Sequence, residues 1–278
     1  MIKKLLISLM LFALLVPLAF SRTIVPVVWP FHPGSNQANA LRTIIENANK
    51  LQDEYEFVFE NKPGAGGAIA VREVLNSTTP KLVLTSTSVF VRVKYFPNES
   101  YDLNELQPVT VISTGSPLVV LSKKYKSLDE LKKSGGFTLG VISGNITEAV
   151  GVHLQTQING IRFIPYPGTI NATMDTIGGH IDASVEFIKD SVQWTDNGTL
   201  HRIFITGKPG TEYLVSNFYL VTGKNQPKEF VTKVNQIFNK ANNQENVKAF
   251  WVQDYAKVAN MTVEQSEKFW SEQRNYWK

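Results

Sequence analysis

Residues 23–75 read TIVPVVW (Thr23 to Trp29), PFHPGSNQ (Pro30 to Gln37), ANALRTIIENANKL (Ala38 to Leu51), QDEYEFVFE (Gln52 to Glu60), NKPGAGG (Asn61 to Gly67) and AIAVREVL (Ala68 to Leu75). The first run is β-branched and apolar, so it reads as a strand, and Pro30 to Gly34 break it. In the third, Leu41, Ile44, Ile45, Ala48 and Leu51 recur at helical spacing while Arg42, Glu46 and Lys50 fall on another face. This predicts an amphipathic helix packed on a sheet. Tyr55 to Phe59 is the next strand, and Ala68 to Leu75 a second packed helix after a glycine-rich turn. Strand, loop and helix occur twice in succession, the signature of an α/β protein.

The alternation continues outward. Strands are predicted at Lys81 to Thr85, Phe137 to Ile142, Ile161 to Pro165, Ile181 to Phe187, His201 to Thr206 and Phe218 to Thr222, with a long apolar segment from Val109 to Ser122. Ser127 with Glu130, and Thr262 with Gln265, have the spacing of capping boxes. From Gln226 onward the pattern reads as wholly helical. The order implies α/β layers on a largely parallel sheet, and in such sheets ligands collect outside the carboxyl ends of the strands.

The loops at those ends are Pro30 to Gln37, Asn61 to Gly67, Ser86 to Ser88 and Ser143 to Thr147. They are rich in glycine, serine, threonine and asparagine, and each precedes or opens a helix. Unpaired N–H groups and the positive end of the helix dipole would therefore face the strand ends, a setting that suits a carboxylate. Gly64-Ala65-Gly66-Gly67 superficially resembles a phosphate cradle. It is no Walker loop, because Ala68 follows where Lys-Ser/Thr is required, and no dinucleotide fingerprint, because Ile69 stands where a small residue is needed. A tight strand-to-helix turn is the plainer alternative.

Catalysis finds little support. His32, His153, His180 and His201 show no metal-ligand spacing, cysteine is absent, and no Gly-x-Ser-x-Gly elbow occurs. Neither metal nor cofactor is expected, and no enzyme activity. There is no Lys/Arg run of the kind a nucleic-acid binder shows. Trp29, Phe31, Tyr95 and Tyr166 could line a cleft.

The first residues bear on compartment. Lys3 and Lys4 precede an apolar run from Leu5 to Phe20, with Ala19 and Ser21 suitably small for signal cleavage after Ser21. The run is shorter than a spanning helix wants. Export to a bacterial periplasm is expected, with a mature chain from Arg22 whose formal charge falls from +4 to +2. Without cysteine it must be stabilised by its own core.

Four segments carry a resemblance to a known family: VPVVWPFHPGSNQANALR from Val25, ENKPGAGGAIAVREV from Glu60, YDLNELQPVTVIS from Tyr101 and PYPGTINATMDTIGGHIDAS from Pro165. In these the chain resembles, nearly end to end, the periplasmic receptors of tripartite tricarboxylate transporters, the Bug or TctC-like proteins. The resemblance implies a type II periplasmic-binding-protein fold of two α/β lobes joined by two crossover segments, near Ser113 to Ser122 and Ser216 to Gly223. Lobe one would comprise residues 22–115 with 223–278, and lobe two 116–222.

It further implies a small organic anion, a mono-, di- or tricarboxylate, delivered to membrane permease subunits by a monomeric receptor. Presentation to a membrane sensor kinase is the alternative, and a hydrolase or lyase a more distant one. Ligand contacts are expected from Phe31, Pro33, Gly34, Ser35 and Asn36, and from Gly64, Ala65, Gly66 and Gly67. Ser86 and Ser88, then Ser143, Gly144, Asn145 and Thr147, then Tyr166, Gly168, Thr169 and Asp182 would supply the rest. Asp182 has an equal reading as a strand-end cap. Ser35, Ala38 and Ile146 depart from the family pattern, which usually has glycine, an acid and glycine there.

Overall fold

The computed structural model describes residues 22–205 and 211–278; the expected export signal, residues 1–21, lies outside the described residues. Two β-loop-α units open the chain as anticipated: β1 (Thr23–Trp29), α1 (Asn36–Lys50), β2 (Tyr55–Asn61) and α2 (Ala68–Leu75). β1 pairs in parallel with β2 on one side and with β3 (Leu82–Ser86) on the other. Val27 and Val28 are consecutive and both buried, because layers cover both faces of this central strand. A helix not foreseen, α3 (Ser88–Tyr95), follows directly on β3.

The apolar segment ahead is one strand of 17 residues, β4 (Leu106–Ser122), and it serves two sheets. Its first part lies beside β9 (Val215–Gly223), with Leu106 opposite Gly223 and Pro117 opposite Val215. The pairing is irregular between Ser113 and Ser116. Its last part, Leu118 to Ser122, joins the second sheet, pairing with β7 (Ala183–Phe187) and, over Val119 to Ser122, with β8 (His201–Phe204). That sheet is completed by β5 (Thr138–Val141) and β6 (Arg162–Pro165), parallel to each other, and β5 runs parallel to β7. Helices α4 (Leu128–Lys133), α5 (Ile146–Gln155), α6 (Thr169–Gly178) and α7 (Ile188–Thr195) alternate with these strands.

The strand path is β2-β1-β3-β9-β4-β7-β5-β6, mixed and not largely parallel as expected. A strand that leads from one sheet into the next without a crossover helix runs antiparallel to its neighbours, and β4 and β9 do so. Phe218 to Val221 of β9, within the segment expected to cross between the lobes, pair with β3, so that strand sits in the first sheet.

The C-terminal region is not wholly helical. Between α8 (Lys228–Asn242), α9 (Glu245–Gln253) and α10 (Val263–Tyr276) a two-residue strand, β10 (Lys257–Val258), pairs with Ser113 and Thr114 of β4. The Thr262–Gln265 capping box forms in full; at Ser127 only half does, since the Glu130 carboxylate accepts instead from the Lys126 N–H. One core gathers Trp29, Ile44, Phe57, Phe238 and Trp251 around the first sheet. A larger one runs through both sheets, from Val83 and Phe90 by way of Val111, Leu118 and Val120 to Leu139 and Val150.

Candidate ligand cleft

The carboxyl ends of β1, β3, β5, β6 and β7 meet around a cavity that is open to solvent. Six of the residues expected to touch a ligand line it: Phe31, Ser35, Ser86, Asn145, Gly168 and Thr169. They come from both halves of the molecule. Ser35 caps α1, its Oγ accepting from the Ala38 N–H at 3.2 Å, and Asn145 caps α5, its Oδ1 accepting from the Thr147 N–H at 3.1 Å. Gly168 precedes α6 as its N-cap. Three helix N-termini thus open on one space, where their dipoles favour negative charge, although the first amides of α5 are already taken by Ser88 and Asn145 and that of Asn36 by Asp190.

The halves touch around this space. Ser88, expected as a ligand contact, is fully buried, and its Oγ accepts from the Ile146 N–H of the other half at 3.1 Å. The Ser86 hydroxyl donates to Ser88 Oγ at 3.0 Å. The Gly144 N–H is taken up by Glu148 at 2.7 Å, and the Ile142 N–H by Thr147 Oγ1 at 2.9 Å. Asn36 gives its N–H to Asp190 and its side-chain amide to the Phe250 carbonyl. Gly34 borders an adjoining recess, and the Pro33 carbonyl accepts from Arg42.

The glycine-rich turn does not line the cavity. Gly64, Ala65, Gly66 and Gly67 take φ of 131°, 47°, 61° and 98°, four successive left-handed residues. A Cβ on Gly66 would stand 2.5 Å from the Ser143 carbonyl oxygen, and one on Gly67 3.3 Å from the Phe31 ring. The turn therefore buttresses Phe31 and lets the Ser143–Gly144 loop of the other half come close. Tyr166 is turned away, its hydroxyl donating to Asp175 at 2.6 Å. Asp182 lies at the opposite, amino end of β7 and accepts from the Thr138 N–H and hydroxyl at 2.9 and 2.7 Å, so it is the strand-end cap. Those contacts hold its carboxyl below the ordinary range despite partial burial.

Several lining residues lay outside the expected set, among them His32, Gln37, Phe187, Asp190 and Phe218; Trp29 had been named only as a cleft aromatic. Asp190 Oδ1 accepts from the Asn36 N–H at 3.3 Å, joining the second half to the start of α1. Burial raises its pKa, opposed by that amide and by Lys189 and His32. Glu186, 1% exposed, is raised by burial and by the charges of Asp190 and Asp254. Asp254 is pushed up to about 7, mainly by burial, although Gln37 donates to its Oδ2 at 2.7 Å. Among the described residues no group of histidine and acidic side chains is placed to hold a metal ion.

Two α/β halves sharing a crossed-over sheet, with a cavity at their seam, are the fold of the periplasmic binding proteins on which the chain superposes. No protein-family model matches the chain. It is similar to Protein BugT of Bordetella pertussis, 28% identical over 198 residues, which are 65% of this chain and 60% of that one. The match thus spans less than two thirds of that curated relative. Its fold is shared with the periplasmic binding protein BugD at a TM-score of 0.80 and 19% identity, over 93% of this chain and 96% of the other. MatC of Rhodopseudomonas palustris with bound malate superposes at a TM-score of 0.78 and 20% identity, over 94% and 98%. A TctC solute binding protein from Polaromonas shares the fold at a TM-score of 0.63 and 17% identity, over 93% of this chain and 98% of the other.

Proposed function

We propose that this chain is a periplasmic solute-binding receptor that encloses a small carboxylate between its halves and delivers it to a membrane permease. The observation that carries this is the meeting of the α1, α5 and α6 N-termini, from both halves, at one cavity. A carboxylate withdrawn from water needs several hydrogen bonds to offset its lost hydration, and hydroxyls and amides on convergent turns supply them. Ser35, Ser86, Asn145, Gly168 and Thr169 are the contacts we assign, with Phe31 as an apolar wall. The malate held by MatC, whose fold this chain shares, supports the class of ligand. Delivery requires alternation between open and closed forms.

Titration calorimetry of the mature chain with a panel of mono-, di- and tricarboxylates tests this. Binding by at least one acid is expected, with a change in the fluorescence of Trp29, which lines the cavity. Silence toward every acid while a neutral sugar binds would overturn it.

A further inference from the structure

We propose that Ser88 and Asp190 form a reciprocal latch: each caps, from its own half, the first helical amide of the facing half, and the two caps together hold the halves over a captured guest. This rests on the cavity being the receptor site argued above, and adds two positioning residues that set the rate of release.

A helix leaves the N–H groups of its first turn without partners inside the helix. In α1 and α5 the local cap satisfies a later amide and leaves the first one. Ser35 Oγ takes the Ala38 N–H, and Asn145 Oδ1 takes the Thr147 N–H. The amide of Asn36, which begins α1, goes instead to Asp190 Oδ1 of the second half at 3.3 Å. The amide of Ile146, which begins α5, goes to Ser88 Oγ of the first half at 3.1 Å. Each half thus completes a helix of the other, and the two bonds run in opposite directions across the seam.

Both caps are held in place by their own surroundings. Ser88 is fully buried, and Ser86, which lines the cavity, fixes it twice, donating its hydroxyl to Ser88 Oγ at 3.0 Å and accepting the Ser88 N–H at 3.3 Å. The side chain that Gly66 lacks lets the Ser143–Gly144 loop come close, which brings the start of α5 up to Ser88. At the other bond, Asn36 is anchored within its half by its side-chain amide, which donates to the Phe250 carbonyl at 2.9 Å. Asp190 stands in the first turn of α7, directly after β7. Moving the halves apart strips both amides of their acceptors at once. Bonds that exist only while the halves are together stabilise the closed form, so they slow release and leave encounter nearly untouched. A carboxylate accepts more strongly than a hydroxyl, which gives Asp190 the larger share.

Release of malate, followed by tryptophan fluorescence in a stopped-flow instrument at pH 8, tests the latch. Ser88→Ala is expected to speed release about fivefold and Asp190→Ala at least about tenfold, with association changed by less than about twofold. Ser88→Thr and Asp190→Asn, which keep an acceptor oxygen, should retain most of the slow release. Proline has no N–H and is tolerated at the first helical position. Ser88→Ala should therefore have no further effect beside Ile146→Pro, nor Asp190→Ala beside Asn36→Pro. Unchanged release, weakening carried by slower association, or an alanine effect that persists in full beside the matching proline overturns the latch and leaves the receptor reading standing. Should one proline variant fail to fold, the other pair decides. If malate does not bind, the alanine variants are read in the ligand-free chain as the separation of spin labels at Glu46→Cys and Asp196→Cys, one exposed position on each half of a chain without cysteine. Longer separations in the alanine variants support the latch whatever the guest, and separations that do not move overturn it.

Discussion

Gly66, expected to touch the ligand, stands outside the cavity lining and meets the facing loop instead. The glycine-rich run advertised itself as a place where backbone amides could reach an anion, whereas the side chain it lacks is what keeps Ser143 of the other half at close range. Gly66→Ala would combine a left-handed alanine, costing about 1 kcal/mol, with a carbon 2.5 Å from a backbone oxygen of the facing loop. Ligand affinity should fall at least about tenfold, because closure is impeded, while the melting temperature drops only slightly; tryptophan fluorescence titration beside a thermal melt checks both. Asp190 shows the reverse case. The turns that stood out in the sequence were those with glycine, serine and proline, but β7 runs into α7 with Phe187 itself as the N-cap, so no loop drew attention to the acid three residues on. Its place in the cavity wall comes with a long-range approach to Asn36, across 154 residues of chain, which no local pattern encodes.

At the scale of elements, periodicity revealed the β-loop-α units because their apolar faces repeat at the strand and helix spacings. It missed α3, where Ser88 to Tyr95 starts immediately after a buried strand and the short hydroxyl residues look like a loop. It also missed β10, two residues whose pairing with β4 is purely tertiary. The last helix was legible from its cap. α10 supports the crossover: Ser266 Oγ accepts from the Val111 N–H at 3.3 Å, and the Trp270 ring stands 4.6 Å from Phe90 and 5.3 Å from Tyr219. Its start is held by the Thr262 side chain, accepting from the Gln265 N–H, and by Gln265 Oε1, accepting in return from the Thr262 N–H at 2.9 Å. Thr262→Ala should therefore lower stability by about 1 kcal/mol, read as a shifted urea midpoint with an unchanged slope.

For the whole molecule, the buried acids at the seam set the response to pH. Burial raises the carboxyl groups of Glu186, Asp190 and Asp254, the last to about 7, so the folded chain holds protons that the unfolded chain has already lost. Stability contributed by these groups is fully present below the ordinary carboxyl range and is lost as pH rises through their folded values. Glu73 and Asp182 are lowered and act oppositely, losing their contribution on acidification below that range. His153, lowered by burial, partly opposes the trend as pH falls below the ordinary histidine value. The ligand-free protein should consequently melt on the order of 5 °C higher at pH 5.5 than at pH 8. Asp254→Asn should shrink that difference; calorimetric scans at the two pH values would show it.

The continuity of β4 has a mechanical consequence. One strand belongs to both sheets, β9 lies beside it, and their pairing loosens between Ser113 and Ser116. There the hydroxyls of Ser113, Ser116 and Ser216 are buried with no partner among the described residues, while β10 and the Asn217 side chain hold the backbone of Ser113 to Gly115. Such a joint would be stiff along its length and would yield most readily about its axis, like a torsion bar. Its rotational stiffness, more than the length of any loop, would then govern how quickly a captured guest is let go.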